Sequence, residues 1–173
     1  MTLREFMKYQ PKTNIAVSVL INLPTGQYDP GKIVNIGTNR WAFKPEVGLS
    51  RTFGNWQMDA YAGVWLFAAN EDHVNGTLTQ DPLSSLEFHM TYNVRPGLWA
   101  GLDTNFYWGG RTTIGSTPSP VEFDNSRIGG TISVPVARSQ SIKFSVSTGT
   151  LATSGGNFTS FGMAYNLVWG GTK

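Results

Sequence analysis

An antiparallel, up-and-down transmembrane β-barrel of about eight strands is the fold this sequence predicts. Three observations carry that prediction: the strands are long, the connections between them alternate short and long, and each strand has one apolar and one polar face. Period-two alternation recurs throughout, and helical periodicity is nearly absent. By this criterion strands fall at 13–23, 41–53, 56–67, 83–94, 98–108, 127–137, 141–151 and 159–169. Most run about 10–13 residues, against a globular mode of ~5–6 and the ~9–11 that a tilted bilayer crossing needs.

The connections follow the outer-membrane pattern. Tight turns are expected at Gly54-Asn55, at Arg95-Pro96 and at Arg138-Ser139-Gln140, which have the residue types that turns favour. The links between them are longer, at 24–40, 68–82, 109–126 and, shorter, 152–158. Short turns on one side and long loops on the other place the short side in the periplasm.

The faces can be read strand by strand. The fourth strand sets Leu86, Phe88, Met90, Tyr92 and Val94 against Glu87, His89, Thr91 and Asn93. The fifth sets Leu98, Ala100, Leu102, Thr104, Phe106 and Trp108 against Trp99, Gly101, Asp103, Asn105 and Tyr107. The sixth sets Ile128, Ile132, Val134 and Val136 against Arg127, Gly129, Thr131 and Ser133, and the first sets Ile15, Val17, Val19, Ile21 and Leu23 against Asn14, Ala16, Ser18, Leu20 and Asn22. A soluble ligand-holding barrel would show the same alternation with the apolar face inward. Two features favour the inverted arrangement. Only 14% of residues are charged, against ~25% in a typical soluble domain, and the polar face is mostly Gly, Ser, Thr and Asn, which suit a crowded lumen. Aromatics also gather near strand ends: Trp41, Phe43, Phe53, Trp56, Phe67, Trp99, Phe106, Trp108, Tyr165 and Trp169. Of these, Trp41, Trp56, Trp99, Trp108 and Trp169 are expected to form interfacial girdles. Arg51 is the one charge on the apolar face, and it lies beside a short turn, where the cost of an arginine falls to ~0–1 kcal/mol. Pro45, inside the second strand, removes a ladder donor and predicts a bulge or a sheet edge there.

Composition narrows the function classes. The chain has 173 residues, no cysteine and a net charge of +2. No disulfide, thiolate metal site or cysteine nucleophile is available, and no basic stripe suggests nucleic acid. No apolar run is long enough for a transmembrane helix. The division expected is 1–12 as an N-terminal segment, partly disordered or periplasmic, 13–169 as the barrel, and 170–173 as a disordered periplasmic tail. No cofactor, metal or catalytic residue is expected. The partners expected are the lipid bilayer with its lipopolysaccharide, and a small-molecule solute.

Several segments carry a family resemblance. They are Leu23-Pro24-Thr25-Gly26-Gln27-Tyr28-Asp29-Pro30, Asn35-Ile36-Gly37-Thr38-Asn39-Arg40-Trp41, Phe43-Lys44-Pro45-Glu46-Val47-Gly48, Gln80-Asp81-Pro82-Leu83, Gly109-Gly110-Arg111-Thr112-Thr113 and Val168-Trp169-Gly170-Gly171. Together they resemble a family of outer-membrane proteins labelled as transporters or as the MetA-pathway of phenol degradation. The resemblance implies a bacterial outer-membrane location and a transport role, for hydrophobic or aromatic compounds among others. Members of that family are longer, with additional strands before the equivalent of Thr13. The chain therefore reads either as a smaller relative or as part of a ~12-stranded barrel. Strand number matters because about eight strands are just filled by their own side chains, while a wider barrel holds an aqueous pore.

The candidate lumen residues are Lys44, Glu46, Asp59, Glu87, His89, Asp103, Arg127 and Lys143, with Gln57, Asn105 and Asn166 beside them. Leaving one such charge alone in a dry lumen is costly, so an internal salt-bridge network that plugs the barrel is one reading. A constriction that selects a solute is the other. His89 beside Glu87 admits a third reading, a lipid-modifying enzyme with a hydroxyl nucleophile. Glu71-Asp72-His73 forms a loop cluster of the type that can bind a divalent cation, although such clusters are usually just solvated.

Overall fold

The computed structural model describes residues 13–153, 155 and 157–169, all strand, turn or irregular, with no helix among them. The expectations for 1–12 and 170–173 lie outside the described residues. Eleven strands follow one another: β1 (Thr13–Asn22), β2 (Ala42–Phe53), β3 (Trp56–Phe67), β4 (Leu78–Gln80), β5 (Leu83–Arg95), β6 (Leu98–Gly109), β7 (Thr112–Ile114), β8 (Thr117–Pro118), β9 (Phe123–Ala137), β10 (Gln140–Ala152) and β11 (Thr159–Leu167). The eight long strands are the eight expected. β9 starts at Phe123 instead of 127, and β11 stops at Leu167 instead of 169.

The long strands form one antiparallel sheet in the order β1-β2-β3-β5-β6-β9-β10-β11. Each therefore pairs with its neighbour among the long strands, as in an up-and-down barrel. The sheet does not close on itself: among the described residues no ladder joins β1 to β11. Of the two expected readings, closure within eight strands is not seen among the described residues, where the outer edges of β1 and β11 carry no ladder.

Short turns join β2 to β3, β5 to β6 and β9 to β10. Gly54 and Gly97 take φ of 58° and 79° there, a region that glycine enters without strain. The bulge or edge expected at Pro45 is not found. Pro45 faces Val19 of β1, and pairing with β3 lapses at Lys44 and Pro45 but resumes at Glu46 in the same register. A missing donor has cost two pairings without shifting the strand. Register shifts occur elsewhere, between Asn93 and Arg95 and at both ends of the β9–β10 ladder.

Burial follows the two-residue period but with the usual polarity reversed. Among the described residues the one buried hydrophobic side chain is Ala42, while Lys44, Asn70, Ser85 and Ser133 are buried polar ones. Val17, Leu49, Phe88, Leu102, Ile132 and Phe144 are all exposed. A soluble sheet buries its apolar side chains; this one presents them outward, as hydrocarbon requires.

At the other end from the short turns the long connections build a small structure of their own. β4, β7 and β8 form a second, three-stranded sheet. Asn70, only 2% exposed, is the hub beside it. Its Nδ2 donates to Tyr28 Oη at 2.9 Å and to the Thr38 carbonyl at 3.3 Å. Its Oδ1 accepts from Asn39 Nδ2 and from the Asp72 amide, both at 3.1 Å. Asn39 has φ of 50°, a conformation asparagine tolerates. Gly26 and Gly37 cross so closely that a Cβ on either would lie 2.8 Å from the other's backbone. Asn70→Ala is expected to orphan several of these groups, at ~1–3 kcal/mol each. Limited proteolysis of the folded chain should then show faster cleavage in 23–41 and 68–77, while the thermal unfolding of the eight-stranded sheet moves little.

Candidate functional site

The polar face of the sheet is built from rows of directly opposed residues. One row runs Gly48, Tyr61, Glu87, Asn105, Arg127, Gly149 across β2, β3, β5, β6, β9 and β10. The next, about 7 Å toward the short turns, runs Ser50, Asp59, His89, Asp103, Gly129, Ser147. Because alternate residues share a face, Lys44 and Glu46 lie on this face of β2. Lys143 and Asn166 lie on it too, nearer the short turns, with Lys143 in the row of Asn93, Trp99 and Ser133. All eight candidate lumen residues therefore share the less exposed face.

The structure draws some of them together and leaves others apart. Lys44 Nζ sits 2.5 Å from Glu46 Oε2 and 2.8 Å from Glu87 Oε1, with its side chain 10% exposed. To reach Glu87 from β2 the lysine must cross β3, and it crosses at Gly63. A Cβ on Gly63 would stand 2.8 Å from Lys44 Cε. The lysine ammonium is 6.0 Å from the centre of the Trp65 ring, which stacks with Phe67. A second cluster joins His89 Nδ1 to Asp103 Oδ1 at 2.5 Å, with Thr131 Oγ1 donating to Asp103 Oδ2 at 3.4 Å. Tyr61 meets the His89 ring edge-on, and a Cβ on Gly48 would lie 2.7 Å from the Tyr61 ring. Gln57 Nε2 donates to both oxygens of Asp59, at 3.2 and 3.1 Å.

Arg127 does not turn to Glu87 in its own row. Its Nη2 donates to Ser147 Oγ at 3.1 Å and to the Phe158 carbonyl at 3.2 Å, and its guanidinium lies 4.2 Å from the Phe158 ring centre. Neither Arg127 nor Lys143 has an acidic partner within ion-pair distance among the described residues. The charges thus form separate clusters, not one continuous plug.

Two aromatics that sequence reading did not single out, Tyr61 and Trp65, stand on the same face, beside Tyr107, which parity had already placed there. Parity with Asp59 would have flagged both. Trp99 and Phe67, grouped above with the end-of-strand aromatics, also face this side: Trp99 is opposite Asn93 and Ser133. Position near a strand end does not decide the face, whereas parity does. Trp41, Trp56 and Trp108 are on the exposed face or its continuation, and Trp169 is exposed beyond β11. The side chain hydrogen-bonded to His89 among the described residues is Asp103, and no hydroxyl shares that bond. Glu71, Asp72 and His73 do not form a metal-holding group among the described residues.

Lys44→Met leaves two carboxylates facing each other in a partly buried site. Unfolding in urea should show a loss of about 1–3 kcal/mol, discounted from the ~3–5 kcal/mol of a fully buried pair. Adding Glu46→Gln and Glu87→Gln should recover much of it. Gly63→Val, which blocks the crossing, should resemble Lys44→Met.

A crystal structure of an outer membrane channel from Pseudomonas putida F1 superimposes with a TM-score of 0.80 at 21% sequence identity, covering 91% of this chain and 60% of that one. The chain thus spans three-fifths of that channel's length and has the fold of its barrel. No curated protein matches the chain. Residues 5–167 match the family described as "Putative MetA-pathway of phenol degradation", and the chain belongs to that family.

Proposed function

We propose that the chain forms the greater part of the wall of a bacterial outer-membrane channel for small solutes, hydrophobic and aromatic ones included. The observation that carries this is the reversed burial: an exposed apolar face over eight long strands, and a polar, partly charged face behind it. Hydrocarbon accepts the first, and a water-filled path uses the second. The free edges of β1 and β11 are where further strands would add to close the wall. Eight of more than eight strands give a lumen wider than its own side chains fill. The separate Lys44, His89 and Arg127 clusters line such a path without blocking it, and the face aromatics Tyr61, Trp65 and Tyr107 offer apolar contact to a passing ring. The fit to a channel fold of greater length supports this reading over an eight-stranded barrel plugged by its own side chains.

The closed barrel, this chain together with the strands that complete its wall, should produce step conductances in planar bilayers. Liposomes should swell faster in a small phenolic solute than in a sugar of equal size. Glu46→Lys together with Asp103→Lys should move the reversal potential toward anion selectivity, since fixed charge in a narrow path sets ion preference. Silence over many insertion attempts, with folded protein shown to be in the membrane, contradicts the channel.

A further inference from the structure

The exposed face of β3 is uneven. On this strand the outward residues are Trp56, Met58, Ala60, Ala62, Val64 and Leu66. The two alanines interrupt rows of larger neighbours. Ala60 lies between Leu49 and Phe88, and Ala62 lies between Val47 and Leu86. The result is a furrow along β3, seen as two neighbouring hollows of about 530 and 460 Å³ on the apolar side. The first is walled by Leu49, Met58, Phe88 and Leu102, with Arg51 and Phe53 lining it toward the short-turn end. From Met58 to Val64 the furrow extends ~20 Å along the strand, more than half the ~25 Å apolar band of an outer-membrane barrel.

A cation, Arg51, stands near the short-turn end of this furrow. It is exposed on the apolar face, opposite Met58 and Thr13. No acidic group among the described residues lies within ion-pair distance of it. It stands three positions before Gly54, roughly 10 Å along the strand from the turn. In a membrane that is headgroup depth, where an unpaired guanidinium seeks an anion. Its planar fork matches phosphate oxygens in pairs.

We infer that the furrow is a lipid site: one acyl chain of a glycerophospholipid lies along β3 over Ala60 and Ala62, and its phosphate is held by Arg51. One cation and one chain-width furrow fit a lipid with a single phosphate, in the leaflet that the short turns face. The inference rests on the membrane-barrel reading above. It is tested with the full chain in detergent micelles doped with equal phosphatidylglycerol and diacylglycerol, by native mass spectrometry. The wild type should retain one phosphatidylglycerol at detergent levels that strip diacylglycerol. Arg51→Gln should lower that retention by about tenfold or more, the equivalent of one charge-assisted hydrogen bond. Ala60→Leu with Ala62→Leu should fill the furrow and lower it likewise, with Arg51 intact. Equal retention in all three proteins, or equal retention of diacylglycerol, overturns the site while leaving the channel standing. Failure of the wild type to insert into bilayers at all overturns the channel reading, and the lipid site with it.

Discussion

In hydrocarbon no water is present to satisfy a backbone amide, so every N–H and C=O that crosses must be paired within the sheet. The rest of this structure follows from that constraint. It demands strands long enough to cross, and the long strands here run from 9 to 15 residues. It demands neighbours in sequence order, because tight turns leave no backbone group stranded between strands. It also explains why Pro45 is tolerated: the ladder to β1 continues while the lapse toward β3 is confined to two positions. An open edge does not persist in lipid, so the edges of β1 and β11, unladdered among the described residues, are where the proposed wall would be completed.

A second constraint acts on the other face. A lysine taken out of water needs its charge met. Lys44 meets two carboxylates, one from its own strand and one from two strands away. The longer reach exists because Gly63 has no side chain to block it. Gly48 does the same for the Tyr61 ring, which then lies against His89. Glycine on this face therefore does more than reduce crowding; it lets large polar and aromatic side chains lie flat across neighbouring strands. Such packing keeps the charges local and leaves the space behind them free.

Much of this was legible in the sequence. The strands could be placed because their length and two-residue period are strong, repeated signals, and the membership of the polar face follows from parity alone. Three things were not legible. The crossing of Lys44 over Gly63 joins three strands, and no local pattern encodes it. The β4-β7-β8 sheet consists of runs of two or three residues paired across long connections, too short for periodicity to detect. Closure depends on whether the first and last strands meet, and alternation within a strand says nothing about that. Trp99 shows the opposite case: parity already placed it with Asp103, and the attraction of an aromatic at a strand end outweighed that signal. Family resemblance supplied what the pattern could not, the alternative that these eight strands are part of a wider barrel.

The central claim is that the apolar face meets lipid and the polar face meets water. The chain has no cysteine, so single cysteines along β5 report cleanly. Introduced one at a time at Leu86, Glu87, Phe88, His89, Met90 and Thr91 in liposomes, they can be probed with a water-soluble thiol reagent and, after fluorophore labelling, with a lipid-borne quencher. The account predicts strict alternation, with positions 87, 89 and 91 reactive from water and positions 86, 88 and 90 quenched from lipid. The opposite phase, or uniform reactivity along the strand, contradicts it.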